Sequence, residues 1–396
     1  MTWRLTVHQR QFGTTAYARH TGIGEITDAR SRRLELTLNQ PAKLTFTVDG
    51  RSPSATAVQE LTTEMMAWSD GKLVFRGPVT ASEDVVSEQS HALNITAVDY
   101  LGILIRRYLT AKTDLVYTQQ DQDIIVADLL ARAKTVASAG GTSFAPGSQL
   151  PLAALTVNPD GTFRSTYSGQ LRDRTYQGGA SIGDAITSLA GVINGFDVDV
   201  RPAADTDGTD YLQVWFGARG IARPDLPLAY GTTVNSFTRS VQSTAYSNYV
   251  RVIGDNGGTE GAPQLVADQW NADANDVGRI PVGLWMESDN ESDVKIQSTL
   301  QAKADGNLAT SGVLVPTYSL VLAPGAAVPN LGDTVPLILR TGRLDVSATV
   351  RVMAISYAPN DDTDDTDVEI TVGRPAKDLS ALFRDIRRDV DALARR

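Results

Sequence analysis

Gly179-Ala180-Ser181-Ile182-Gly183 spells the glycine-flanked serine of a nucleophile elbow. In that arrangement a sharp strand-to-helix turn presents the hydroxyl to an acyl carbon, and a histidine takes its proton. The surroundings do not supply the partners. Tyr176-Gln177-Gly178 is not the strongly apolar strand that an elbow follows. The three histidines, His8, His20 and His91, all precede Ser181, whereas the base of an elbow comes later in the chain. Ser181 with Asp184 three residues on suits the cap of a helix instead. The histidines stand far apart, without an H-E-x-x-H pair, so a histidine-built catalytic zinc is not expected. His91, just ahead of a strand, reads as a surface residue. Gly22-Ile23-Gly24 lacks the third glycine of a phosphate-cradling loop. The acidic run Asp361-Asp362-Thr363-Asp364-Asp365-Thr366-Asp367 offers five carboxylates, oxygen ligands of the kind Ca²⁺ takes. It lacks the central glycine and terminal glutamate of an EF-hand. It also follows Pro359-Asn360 between two strands, where it reads as a solvated hairpin loop. Carboxylate pairs for glycoside hydrolysis are not fixed by sequence spacing. The expectation is a protein with no catalytic residue, no metal ligand set and no cofactor.

At 396 residues the chain is longer than one core usually serves, so several domains are expected. A hydrophobic content of 42% is too high for bulk disorder. Thirty-three glycines and seventeen prolines between short apolar runs favour a turn-rich β protein. The absence of cysteine excludes disulfides and cysteine-ligated metals and fits a reducing cytoplasm. Met1 to Arg10 has no apolar core of signal-peptide length, and no run suffices to span a membrane, so a soluble protein without a classical signal is expected. A net charge of -10 disfavours tight wrapping of nucleic acid.

The elements that would position any site come from periodicity. Residues 3–7, 33–38 and 43–48 read as strands. Met65 to Trp68 meets the turn Ser69-Asp70-Gly71, and Leu73-Val74-Phe75 continues beyond it. Gly77-Pro78 should bend that strand. Leu93, Ile95 and Ala97 alternate with polar residues, and Asp99 is placed to cap a helix from Tyr100. Helices are expected over 122–134, capped by Asp121, over 181–192, and over 289–309, capped by Asp289 or Ser292. Strands are expected at 196–200, 211–216, 234–239, 249–253, 313–321, 334–340, 347–357 and 368–372. Residues 135–147, rich in Ala, Gly and Ser, read as a loop. From Ala376 to Arg396, Leu379, Phe383, Ile386, Val390 and Leu393 step by four and three. That pattern serves a coiled coil or a helix packed on its own domain.

Three stretches resemble a known family. Asp70-Gly71-Lys72-Leu73-Val74-Phe75-Arg76-Gly77-Pro78-Val79 resembles the dGxxvfrGxV hairpin of phage tail-tip proteins. Val98-Asp99-Tyr100-Leu101-Gly102-Ile103-Leu104 resembles the strand-to-helix exit after it, and Leu38-Asn39-Gln40-Pro41-Ala42-Lys43-Leu44-Thr45-Phe46-Thr47-Val48 its entry strand. Together they are similar to minor tail proteins of the baseplate hub family in long-tailed actinobacteriophages. The resemblance implies a β-rich α+β multidomain protein: a first tube-like β-barrel domain over 1–109, an inserted α/β region over 110–227, a second tube-like β domain over 228–375, and a C-terminal helix over 376–396. It further implies a structural, non-enzymatic hub at the tail tip of the virion, assembled in the host cytoplasm. Its partners would be two further copies in a homotrimer, and the distal tail, tape measure and tail fibre or spike proteins. DNA would pass through its acidic channel without specific binding, and no stable membrane insertion is implied. Two other functions stay open: a binding module for host cell-wall glycan, using exposed aromatics such as Trp270 and Trp285, and a peptidoglycan hydrolase built on a carboxylate pair.

Overall fold

The computed structural model describes residues 2–10, 20–110, 113–134, 150, 152–192, 194–202, 210–241, 246–255, 264–270, 283–291, 294, 297–312, 316–361, 363, 365–373. The chain forms two compact units, Met1–Ser236 with Leu320–Ile370, and Phe237–Ser319 with Thr371–Arg396. This grouping is by contact, so it differs in kind from the successive segments that the sequence suggests. The expected loop over 135–147 and the helix over 376–396 lie outside the described residues.

The first unit begins with strands β1 (Trp3–Arg10), β2 (His20–Ile26), β3 (Arg30–Thr37), β4 (Lys43–Asp49), β5 (Thr63–Ser69), β6 (Lys72–Val86) and β7 (His91–Val98), with short helices α1 (Pro53–Ala57) and α2 (Tyr100–Leu104). Asp70 and Gly71 close the β5–β6 hairpin at φ 47° and 78°, the left-handed geometry that tight hairpins require. β6 is 15 residues long and changes partner halfway: Lys72 to Pro78 pair with β5, and Val79 onward pairs with β7. Gly77-Pro78 sits at the changeover, where the sequence places a bend. Pro78 has no N–H to give a ladder. A Cβ on Gly77 would stand 2.2 Å from the Val98 carbonyl oxygen and 2.9 Å from the Asp99 Cα. Gly77→Ala should therefore shift backbone at the changeover and cost about 1–3 kcal/mol, read as a lower urea midpoint. An unchanged midpoint would refute the crossing as drawn. Alternating apolar residues of β3, β4 and β7 pack with Leu5, Met65 and Phe75 in one core.

A second set of elements follows: β8 (Leu115–Asp121), α3 (Gln122–Lys134), β9 (Leu152–Val157), β10 (Leu171–Tyr176), α4 (Ile182–Ala190), β11 (Val198–Arg201) and β12 (Asp210–Trp215). β12 joins β11 antiparallel and β9 parallel. α3 and α4 pack on these strands through Ile125, Leu129, Ile186 and Leu189, forming a core of their own with Leu101 and Leu104 of α2. Asp121 accepts the Asp123 N–H at the start of α3 (2.9 Å), as the sequence suggests. Asp99 caps α2 through the N–H groups of Leu101 and Gly102 and also takes the Ala42 N–H from the start of β4. Burial pushes its carboxyl up to about 7, and those three N–H groups pull the other way.

The chain continues through β13 (Leu228–Ala229) and β14 (Val234–Ser240). The second unit then supplies β15 (Tyr249–Gly254), β16 (Val266–Trp270), β17 (Met286–Glu291) and α5 (Gln297–Ser311). β15 is central, antiparallel to β16 and parallel to β17, and Val250, Val252 and Ala267 pack with Leu300 and Ala304 of α5. The sequence expectation of a helix from 289 is corrected here. Residues 286–291 are strand, and the helix starts at Gln297. Asp289 faces Val252 across the ladder and accepts from Asn307, so it caps nothing. Edge pairing with β15 overrides the local helical pattern.

Strands β18 (Thr317–Leu322), β19 (Thr334–Thr341), β20 (Leu344–Pro359) and β21 (Thr366–Val372) complete the chain. β20 spans 16 residues and, like β6, changes partner: its first half pairs with β19, and Ala354 to Tyr357 pair with β3. The result is one 13-stranded sheet running β14-β18-β21-β20-β3-β4-β7-β6-β5-β1-β2, with β19 and β13 branching from β20. The structure thus bears out a β-rich, multidomain α+β protein. The strand path does not show the two barrels as closed among the described residues: it runs from β14 to β2, and the long β20 pairs with both β19 and β3.

Candidate functional site

Ser181 is the N-cap of α4: its hydroxyl accepts the Asp184 N–H at 3.2 Å and donates to the Ile105 carbonyl at 3.0 Å. Gly183 is forced by packing, since a Cβ there would meet the Ile105 backbone nitrogen at 2.5 Å. Both glycine-flanked features of the motif thus belong to helix docking. His8 bonds Thr6 on its own strand, and His91 pairs with Asp84 across β6 and β7. His20 lies on β2. The acidic run follows β20 and leads into β21, whose first residues are Thr366 and Asp367. There Asp361 accepts the Ser31 N–H and pairs with Arg32, and the Arg32 guanidinium also donates to the Asn360 carbonyl. Asp362 and Asp364 lie outside the described residues. Among the described residues no cluster of histidine and carboxylate has the arrangement of a metal site, and no helix is long and apolar enough to cross a membrane.

The structure gathers polar groups at a place that sequence motifs do not mark. Asp197, just before β11, is buried. Its carboxylate accepts from the Asn39 amide (2.9 Å) and the Arg219 N–H (2.6 Å), and pairs with the Arg351 guanidinium. Asn39 stands at φ 60° in the β3–β4 turn, a conformation asparagine tolerates, and its amide oxygen accepts the Val198 N–H at 2.7 Å. Arg351 also donates to the Arg219 and Gly332 carbonyls. The Arg219 guanidinium pairs with Asp199 and lies 5.1 Å from the Trp215 ring centroid. Burial raises the Asp199 carboxyl above its ordinary range, opposed by Arg219. Gly220 and Gly332, at φ 92° and 87°, let two chain segments cross where a Cβ on Gly220 would come within 2.2 Å of the other backbone. Asp333 accepts the N–H groups of Ile221 and Asn330.

Beside this knot lies a cleft of about 380 Å³. Leu36, Val74, Pro159, Pro202, Ile221 and Leu331 give it apolar walls, and Arg201, Trp215, Arg219, Asp160, Asp199 and Asp333 its polar ones. The carboxylates are engaged: Asp160 accepts twice from Thr162, and Asp199 and Asp333 as described. Among the described residues, the side chains gathered here are ones that bind and brace: ion pairs, backbone acceptors and an aromatic ring. In the second unit, Tyr249 and Trp270 face each other across β15 and β16 with rings near parallel, 7° apart, and centroids 6.5 Å apart. Met286 is the neighbour of Tyr249 on β17. Trp270 and Met286 are 51% and 59% exposed.

No family model and no curated protein sequence matches the chain. Solved structures do. A prophage tail protein, gp18, from Listeria monocytogenes is 12% identical with a TM-score of 0.54, over 98% of this chain and 99% of that one. A tail protein from Neisseria meningitidis is 11% identical with a TM-score of 0.55, over 94% and 97%. The 43 kDa tail protein of prophage MuSo2 from Shewanella oneidensis is 11% identical with a TM-score of 0.56, over 93% and 97%. Along nearly its whole length, the chain has the fold of phage tail proteins.

Proposed function

We propose that the protein is a structural hub of a phage tail tip, built as a homotrimeric ring. The ring continues the DNA channel of the tail tube and anchors the other tail-tip proteins, among them the distal tail, tape measure and fibre or spike proteins. The observation that carries this reading is the fold likeness to three tail proteins across more than nine-tenths of the chain. The net charge of -10 supports it, because an acidic lumen holds DNA weakly and lets it slide. Light scattering on the purified chain should give three times the chain mass, and a strict monomer at micromolar concentration would count against the ring.

We also propose that the protein has no hydrolytic activity, since the Ser181 hydroxyl is committed to the α4 cap and the Ile105 carbonyl. Neither peptidoglycan nor ester substrates should turn over. Activity that disappears in Ser181→Ala would overturn this. A second function, glycan binding, is favoured by one observation, the exposed stack of Trp270 on Tyr249. Retention on host cell walls that is lost in Trp270→Ala would select it.

A further inference from the structure

One face of the second unit's sheet is covered by α5, which packs on Val250, Val252 and Ala267. Direct neighbours across a ladder share a face, so Trp270, Tyr249 and Met286 form one row on the opposite side. Leu284 and Trp285 adjoin that row, 54% and 40% exposed. The backbone that presents them is fixed from within. Asn248 is buried; it accepts the Trp285 N–H at 2.6 Å and donates to the Gly283 carbonyl at 2.9 Å, and its own N–H donates to the Trp285 carbonyl at 3.0 Å. Large apolar side chains held together on a surface mark a docking site.

The chain carries an occupant of its own. Residues 374–396 follow the last described residue, Gly373. Gly373 lies against Pro316: a Cβ on it would stand 2.5 Å from the Pro316 carbonyl oxygen. Pro316 follows Ser311 by five residues, at most about 18 Å of chain. Ser311 accepts the Ser247 N–H at 3.1 Å, next to Asn248. The exit of the chain is therefore at most about 30 Å from the braced segment. Arg374 to Asp378 can span about 17 Å when extended, and Leu379 to Leu393 about 21 Å as a helix, so the segment reaches. Leu379, Phe383, Ile386, Val390 and Leu393 give such a helix one apolar stripe. A helix this short needs cover to persist in water.

We infer that residues 376–396 form a helix whose apolar stripe docks on the open face of the same chain's second unit, over Trp270, Tyr249 and Met286. Two other occupants fit less well. Bundling the segment with its copies brings like charge together, since it carries six Lys and Arg against four Asp, whereas the whole chain has a net charge of -10. A sugar would use the rings of Trp270 and Tyr249 and leave Leu284 and Met286 in water. In the next row, moreover, Arg251 and Asp268 already hold each other through bonds of 2.7 and 2.9 Å. Docking competes with glycan binding at Trp270 and does not depend on the trimeric ring.

The test uses the full chain with p-benzoylphenylalanine in place of Phe383. On irradiation its ketone takes a hydrogen from a nearby C–H, and the two carbon radicals join. Adducts should map to Met286 and its neighbours, in a species of single-chain mass on a denaturing gel. A second readout needs no label at 383. Peroxide converts exposed methionine to its sulfoxide. Ile386→Asp puts a charge in the stripe and should speed the oxidation of Met286 about tenfold, the effect of one lost apolar contact on the docking equilibrium. Met65, buried in the first unit, should keep the parent's rate. The inference is overturned if no adduct forms on this face, if adducts join two chains only, or if Ile386→Asp leaves the oxidation of Met286 unchanged.

Discussion

Glu64→Ala should lower the stability of the first unit by about 3–5 kcal/mol, because it removes the carboxylate that Arg76 meets in the core. Arg76 is the largest side chain in that core and is 1% exposed; Glu64 is 3% exposed. The two stand diagonally on β5 and β6, with Met66 opposite Arg76 and Pro78 opposite Glu64. Arg76 Nε donates to Glu64 Oε1 at 3.1 Å, and the Tyr100 hydroxyl donates to the same oxygen at 2.6 Å. Removing the carboxylate takes from the buried guanidinium its 3.1 Å acceptor and from the Tyr100 hydroxyl its 2.6 Å acceptor. Removing both charges has a different result. Glu64→Leu with Arg76→Met replaces the pair by apolar groups of similar bulk and should recover most of the loss, since buried pairs offset much of their own desolvation cost only while intact. Tyr100→Phe should cost less, about 1.5–3 kcal/mol, the worth of one bond to a charged group. Urea unfolding followed by tryptophan fluorescence reads all three. A single variant within about 1 kcal/mol of the parent would show that the pair is solvated in solution.

The second large effect is expected at Asp197. Its carboxylate holds the Asn39 turn, the backbone at Arg219 and the side chain of Arg351. Asp197→Ala leaves three donors without their acceptor, and Arg219 N–H and Asn39 cannot turn to water without moving the strands they belong to. A loss of about 3–5 kcal/mol follows from hydrogen bonds to a charged group, discounted for coupling among them. Asp197→Asn keeps one acceptor oxygen and should lose roughly half as much. The readout that separates a local from a global effect is hydrogen exchange at Val198 and Arg219, which should quicken before the β4 and β7 amides do. Unchanged exchange at those two amides would show that the carboxylate braces nothing.

Much of the architecture is written in local pattern. The period-two runs of β3, β4 and β7, the Asp70-Gly71 turn, and the caps Asp99 and Ser181 are each set by a few neighbouring residues, and each is where the sequence places it. What is not legible is set by distant pairing. β9 joins β12 in parallel across some sixty residues, and β20 joins β3 across the length of the chain. Residues 289–291 open the stretch read as a helix and yet end strand β17, because β15 offers them an edge to pair with. The site follows the same rule. Asp197 is one aspartate among many, and its role comes from Asn39, Arg219 and Arg351, which no spacing in the sequence connects. Arg76 falls within the quoted hairpin motif, but its burial needs Glu64 and Tyr100 to make sense. The Asn39 φ angle is the one signal at this site that a turn-prone Leu38-Asn39-Gln40-Pro41 could have raised.

The junction of β3 with β20 also sets a timetable. Thr37 meets Ala354, so β3 leaves the ribosome about three hundred residues ahead of the strand that will cover it. At about 5–20 residues per second, the nascent chain waits on the order of 15–60 seconds with that edge open. An open edge invites pairing with other chains, and basic residues are a common guard against it. β3 opens with Arg30-Ser31-Arg32-Arg33. In the finished protein those arginines are reassigned: Arg32 to Asp361 and the Asn360 carbonyl, Arg33 to Glu35 and Glu369. The same side chains that keep a half-made sheet from sticking to its neighbours on the polysome become its latch when the last strands arrive.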